Sequence, residues 1–263
     1  RPPITPLSLD YIGSACHDAD IAVDLVDCSA DQNWKHTLSN VLANSPTLVG
    51  ITVRNIDDSY FASRDFSLQR ILPVIEEVKR LTQAPICLGG VGFSIFPFEA
   101  MAFLNVPFGV RGDGEEGLVK LVLALKEKTG LEKVPGLIWK ENGRYNSNAV
   151  IPTPLEKMDL SARPLIDNRY YFENGGQVGF ETKRGCSLNC TYCPEPHIKG
   201  NVVRLRHPQN VVAELSQLCD RGVNVFHTCD SEFNCPYPHA VSVSKALIES
   251  GLGNRIKWYA YCS

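Results

Sequence analysis

The chain has 263 residues, of which 44% are hydrophobic and 21% charged, and its formal net charge is −3. This is globular composition at a length that suits two domains, and it excludes a disordered arm and a small disulfide-stapled module. No basic stripe marks a nucleic-acid footprint and no apolar run approaches the ~18 residues of a membrane-spanning helix, so neither nucleic acid nor a membrane span is expected.

A first block runs over residues 1–143. Ile21–Val26 reads as a short strand, Trp34–Ala43 as a helix and Leu48–Val53 as a buried strand. Ser67–Leu81 has helical spacing, with Leu68, Ile71, Leu72, Ile75 and Val78 on one face. Pro85–Leu88 is another buried strand, ending at Gly89 and Gly90. A helix over Pro97–Leu104, a strand over Phe108–Val110 and a helix over Gly114–Lys128 follow, the last with the acidic start that a helix dipole favours. Continuous apolar strands alternating with amphipathic helices predict an α/β domain, a doubly wound parallel sheet covered on both faces. The block opens on Pro2 and Pro3 as if on the loop after a first strand, so upstream residues are expected to be missing.

Residues 144–176 are rich in Pro, Asn and Asp, lack periodicity and read as a linker. A second block covers residues 177–263. Val178–Thr182 is a strand, Pro208–Arg221 a helix, Val223–Thr228 a strand, Ala240–Ser250 a helix and Ile256–Tyr261 a strand. That alternation is the start of a βα barrel, and stopping after three strands leads to the expectation of truncation at this end as well.

Ten cysteines are too few for a disulfide scaffold of this size. Seven are scattered, as buried free thiols usually are. Cys186, Cys190 and Cys193 fall together in C-x3-C-x2-C spacing directly after a predicted strand. Thiolates are soft ligands for zinc or iron–sulfur clusters, and the pattern belongs to a reducing, cytoplasmic compartment. A structural zinc site usually wants four ligands, often as paired knuckles, and no second knuckle is present. Three sulfurs around a four-iron cluster leave one iron open to an amino-acid-like chelator. Zinc and inert thiols remain the alternatives to that reading.

This cysteine trio, with Tyr192 before the third cysteine, Arg184 and Gly185 before the first and Pro194 after the last, resembles the signature of the radical S-adenosylmethionine (SAM) enzymes. The resemblance implies a [4Fe–4S] cluster on the three cysteines, an external electron donor, and SAM bound with Tyr192 against its adenine. Asp230, Glu232 and Asn234 close the second strand of this block, where parallel strand ends face a ligand. By resemblance they would hold the methionine part of SAM; a strand-ending turn is the alternative. Glu232 or Cys235 on the open iron, in place of bidentate SAM, is a further alternative.

A parallel sheet ahead of such a barrel resembles the cobalamin-dependent branch of the family, with a Rossmann-like cobalamin-binding domain. Gly89, Gly90, Gly92 and Ser94 resemble its glycine motif, Thr52 and Arg54 stand at its Ser-x-Leu turn, and Gly112, Gly114 and Glu115 resemble its last strand end. Such strand ends converge on one crevice in an open α/β sheet. Many members carry Asp-x-His-x-x-Gly, whose His ligates cobalt; the matching stretch, Ser8–Gly13, has none. Arg54 would then face cobalt as a fixed charge, or pair with Asp57 or Asp58.

The function implied is C-methylation: a methyl group passes from SAM through methylcobalamin to a carbon of a small-molecule or peptide-derived substrate. The absent His and the run over residues 54–58 are similar to the tryptophan 2-C-methyltransferase branch. The alternatives are a cobalamin-dependent radical SAM cyclase or ring-rearranging enzyme, and a non-catalytic iron–sulfur or cobalamin-binding module. No catalytic residue is identified by the sequence, nor whether transfer is radical or polar.

Overall fold

The structure, a computed structural model, describes residues 2–58, 60–157 and 163–263. Arg1, Ser59 and part of the predicted linker, residues 158–162, lie outside the described residues. The chain divides into two compact units: Asp24–Thr153, and a second made of Arg1–Val23 together with Pro154–Ser263.

The N-terminal segment is not the loop of a sheet. After Pro6 it forms helix α1 (Leu7–Asp18), whose buried stripe is Leu7, Asp10, Tyr11 and Ser14. A carboxylate in the middle of that stripe hid the helix from an apolar-periodicity reading. Ser8–Gly13 therefore lies inside a helix of the second unit. No strand forms over Ile21–Val26, where side chains are exposed or half-buried.

In Asp24–Thr153 the chain runs through α2 (Trp34–Leu42), β1 (Val49–Thr52), α3 (Leu68–Leu81), β2 (Ile86–Gly89), a short α4 (Val91–Ile95), α5 (Pro97–Leu104), β3 (Phe108–Val110) and α6 (Gly114–Glu127). The strands β1, β2 and β3 are parallel neighbours in chain order, with Val49 opposite Ile86 and Cys87 opposite Phe108. Their apolar side chains and the inner faces of the helices build a core around Val53, Leu88, Phe93, Met101 and Leu104. Two antiparallel strands, β4 (Leu137–Glu141) and β5 (Arg144–Ser147), extend the sheet. Asn142 and Gly143 join them with positive φ values of 49° and 77°, as a two-residue hairpin requires. Residues 144–147, expected to open a linker, are thus a strand of the sheet.

The second unit continues with α7 (Asn168–Gly175), β6 (Val178–Phe180), β7 (Lys183–Arg184), α8 (Glu195–Lys199), β8 (Arg204–Leu205), α9 (Pro208–Asp220), β9 (Val225–Thr228), α10 (Tyr237–Glu249) and β10 (Lys257–Tyr259). β6, β9 and β10 form a parallel sheet in that order, joined by helices, as expected for the opening of a βα barrel. Val178, Phe180 and Phe226 point to one face and pack on Val211, Leu215 and Leu218 of α9 and Val243 and Leu247 of α10. His227 lies on the other face, stacked on Tyr259 with ring centroids 4.5 Å apart.

A buried charge network ties this unit together. Asp10 accepts from the Arg163 Nε at 2.9 Å, the Asn168 side chain at 2.8 Å, and the backbone N–H groups of Leu165 and Ile166. Arg163 also donates to Glu214 at 3.2 Å and to the Gly179 carbonyl at 2.8 Å. Arg206 donates to Glu214 at 2.6 Å and to the Glu181 carbonyl at 2.6 Å. Burial, reinforced by Glu214, pushes the Tyr11 phenol well above its usual range, so it stays neutral between Glu214 and Arg206. Removing one partner of such a set strands the opposite charge away from water. Asp10→Ala is expected to destabilise the chain by about 3–5 kcal/mol in urea unfolding; a loss under about 1 kcal/mol would show that the network carries little stability.

Candidate functional site

The C-terminal ends of β1, β2 and β3 bring one set of sequence-predicted residues together. Thr52 ends β1 opposite Gly89, which ends β2. Gly90 has φ +97°, and a Cβ there would stand 2.7 Å from both the Thr52 hydroxyl and the Val53 carbonyl. Gly92 sits against the Arg54 backbone. Ser94 donates to the Gly90 carbonyl at 3.0 Å and accepts from Gly112 N–H at 3.1 Å, stitching the turn after β2 to the turn after β3. Gly114 opens α6, and Glu115 is buried in its first turn. The side chain of Arg54 is exposed. Asp58 accepts from Tyr60 N–H and the Ser63 hydroxyl. Small residues, a hydroxyl and one exposed guanidinium along a row of strand ends fit a large flat ring with a polar tail.

The cysteine loop is built on the end of β6. Thr182 is held there by Asp230, which accepts from its N–H at 2.8 Å and its hydroxyl at 2.6 Å, and by His239, whose Nε2 lies 3.0 Å from its carbonyl. Asp230 also accepts from Lys183 N–H. Burial raises the Asp230 carboxyl, an effect that the Thr182 bonds oppose. Burial lowers the His239 imidazole, so it meets the carbonyl as a neutral N–H donor. Both Asp230 oxygens bond the root of the loop. Asn234 likewise bonds Ser263 through both ends of its amide. Glu232 is half-buried, with one carboxylate oxygen buried and lacking a hydrogen-bond partner among the described residues.

Gly185 has φ +93°, and a Cβ there would collide with the Val202 carbonyl, so the loop can start only from glycine. Cys186 N–H then bonds the Gly200 carbonyl at 3.0 Å, and Cys193 N–H bonds the Cys190 carbonyl at 3.2 Å. All three thiols are free, with Cys190 exposed and Cys186 and Cys193 half-buried. Tyr192 between them is 87% exposed. Among the described residues no three His, Cys, Asp or Glu side chains converge on a single metal-ion position. An iron–sulfur cluster takes each thiolate on a different iron, and three free thiols strung along one loop fit that arrangement.

Sequence reasoning missed the charges behind this loop. Lys199 at the end of α8 lies 3.2 Å from Glu181 and 3.1 Å from Glu195, and Arg184 lies 3.0 Å from Glu181. The i, i+4 spacing of Glu195 and Lys199 was visible, but their meeting with Glu181 needs the fold. Burial alone would raise the Glu181 carboxyl; Arg184 and Lys199 more than offset it and hold it down at about 2.

No protein-family model matches the chain. In fold and sequence it is similar over nearly its whole length to cobalamin-dependent radical SAM enzymes, as its motifs led one to expect. A radical SAM methyltransferase, TsrM from Kitasatospora setae, solved with tryptophan substrate and a SAM analog bound, superposes with a TM-score of 0.89 at 30% identity, covering 99% of this chain and 52% of that one. The tryptophan 2-C-methyltransferase of Streptomyces laurentii is 29% identical over 94% of this chain and 50% of its own length. The cobalamin-dependent SAM radical enzyme OxsB, at 21% identity and a TM-score of 0.74, shares the fold. The chain spans about half the length of the curated relatives it matches. Among the described residues no helix is long and apolar enough to cross a membrane.

Glu181 makes the stability of the fold depend on pH. A carboxyl held at about 2 in the fold, against 4.5 ordinarily, contributes stability that is present above pH 4.5 and lost as pH falls through 2. Glu181→Gln is expected to remove a contribution on the order of 3 kcal/mol that is complete above pH 4.5 and fades between those limits. The check is the difference in unfolding free energy between parent and variant across pH 2–6; parallel curves would show that Glu181 is not held by its cations.

Proposed function

We propose that this chain forms the cofactor-binding part of a cobalamin-dependent radical SAM C-methyltransferase, acting on a carbon of a small aromatic substrate such as the tryptophan indole. One observation carries the reading: the C-x3-C-x2-C loop stands free at the end of the first barrel strand in a chain whose whole course follows that of a tryptophan-bound methyltransferase. When bound, cobalamin would supply a methyl carrier and the cluster an iron open to SAM.

The residues divide that work. Cys186, Cys190 and Cys193 hold the cluster as thiolates. Tyr192 offers an exposed ring to the adenine of SAM, and Glu232 a carboxylate to its ammonium group. Asp230 acts through Thr182, fixing where the loop begins, and Asn234 holds the segment after β10. Thr52, Gly89, Gly90, Gly92, Ser94, Gly112 and Gly114 would form the floor that receives cobalamin, and Glu115 would close it from within α6. The exposed Arg54 would offer bound cobalamin a fixed positive charge. An external electron donor completes the system.

The direct test is anaerobic reconstitution with iron, sulfide, cobalamin and SAM. About four irons per chain are expected, with nearly all lost when the three cysteines become Ala. Tryptophan should then yield a methylated product. Deoxyadenosine without methylation would point to a cyclase or ring-rearranging enzyme, and iron retained by the triple variant would remove the cluster assignment.

Arg54 gives an independent test. Arg54→Ala is expected to keep cobalamin but to show a water-ligated Co(II) spectrum and slower methyl transfer. Arg54→Lys should behave only partly like the parent, because it keeps the charge and loses the planar fork. An unchanged spectrum and rate in Arg54→Ala would reduce Arg54 to a surface residue.

A further inference from the structure

We infer that Lys199 is a positioning residue that fixes the spacing between the cysteine loop and the loop after β9. This spacing sets how firmly Cys186, Cys190 and Cys193 retain an iron–sulfur cluster and at what potential that cluster is reduced. The inference rests on reading these three cysteines as cluster ligands.

An ammonium group has three donors and no acceptor. Those of Lys199 face three acceptors on three segments: Glu181 at 3.2 Å, Glu195 at 3.1 Å and the Cys229 carbonyl at 3.1 Å. Glu181 directly follows β6 and precedes the cysteine loop. Glu195 lies just beyond Cys193, at the start of α8. Cys229 follows β9 and leads into Asp230, Ser231 and Glu232. One side chain thus pins the entry of the loop, its exit, and the strand end that carries Glu232. A second tether runs the same way, since the Ser231 hydroxyl donates to Glu195 at 3.0 Å. The Lys199 side chain is only 17% exposed, so water screens these contacts little.

Geometry and charge make separable contributions. A compact ammonium can serve three divergent acceptors, whereas a planar guanidinium cannot. Without the Lys199 charge, Glu181 and Glu195 keep two negative charges, of which Arg184 pairs with that of Glu181. Excess negative charge near a cluster disfavours adding an electron, because the net local charge helps set its potential.

The test uses the anaerobically reconstituted protein, followed by iron release to a chelator and by redox titration of the cluster signal in EPR. Lys199→Met is expected to lose iron about tenfold faster, the lower end of the usual cost of removing a supporting contact, and to shift the midpoint potential to more negative values. Lys199→Arg should restore the potential but only part of the retention. Ser231→Ala, which leaves every charge in place, should speed iron loss without moving the potential, and it keeps the test open should Lys199→Met fail to fold. Parent-like retention and potential in Lys199→Met, or parent-like retention in Ser231→Ala together with full rescue of both readouts by Lys199→Arg, would overturn the positioning role. A parent protein that takes up no cluster removes the cluster reading and this inference together; a loaded parent with unaffected variants removes only the inference.

Discussion

The second unit depends on the alternating charges Asp10, Arg163, Glu214 and Arg206, all withdrawn from water. Two cations and two carboxylates cancel, and further bonds reach Asn168, Tyr11 and backbone groups, while Nε and Nη2 of Arg206 are buried without a hydrogen-bond partner among the described residues. Such a set is no stronger than a well-packed apolar core, but it is far more demanding of geometry. Its geometry is spent on β6. Arg163 grips the Gly179 carbonyl and Arg206 the Glu181 carbonyl, so the strand leading to the cysteines is held by side chains from outside the sheet. Helix α1, the segment before α7, and α9 are all fastened to one strand by the same charges.

Downstream of that strand the constraint changes character. Thr182 is fixed on three sides, by Asp230, His239 and the Arg206 N–H bonded to its carbonyl. Gly185 is fixed by the Val202 carbonyl. The first unit uses the same device at β2, where the missing Cβ of Gly90 lets the turn lie against Val53. In both units a strand end is locked before an open segment begins. A site assembled from rigid elements holds its geometry better than one left to loops.

The sequence made the regular elements readable because their burial is apolar and periodic. Trp34–Leu42, Leu68–Leu81, Pro97–Leu104 and the parallel strands all bury hydrocarbon on one face or both. Helix α1 was illegible for the opposite reason: its stripe contains Asp10, whose partner Arg163 is 153 residues away. The β4–β5 hairpin carried its signal in Asn142 and Gly143, but the weakly alternating strand after them was outweighed by the polar composition that follows. At the sites, spacing made the three cysteines legible, since ligands of one cluster must be near in sequence or held by the fold. Asp230, Glu232 and Asn234 looked equivalent because a strand-end acid or amide can face a ligand or a backbone N–H. Only the fold shows that Asp230 and Asn234 already have partners.

The glycines at the sheet ends have a packing cause of their own. Gly90 and Gly92 are required by the nearness of Val53 and Arg54, so the close approach they permit is first of all backbone to backbone. The argument for a ligand there comes from what the packing leaves unused, the exposed Arg54 and the row of small residues beside it. The cysteine loop poses the converse case. Between Gly185 and Pro194 it makes few backbone hydrogen bonds, and its thiols and the Tyr192 ring contribute little to a core. Ordering such a loop costs on the order of 1–2 kcal/mol per residue, with little burial to offset it. Under the proposed reading, a fold that anchors both ends of a loop and leaves its middle so weakly supported would draw the missing stabilisation from what the loop binds, which is how metal binding and local folding become one free energy.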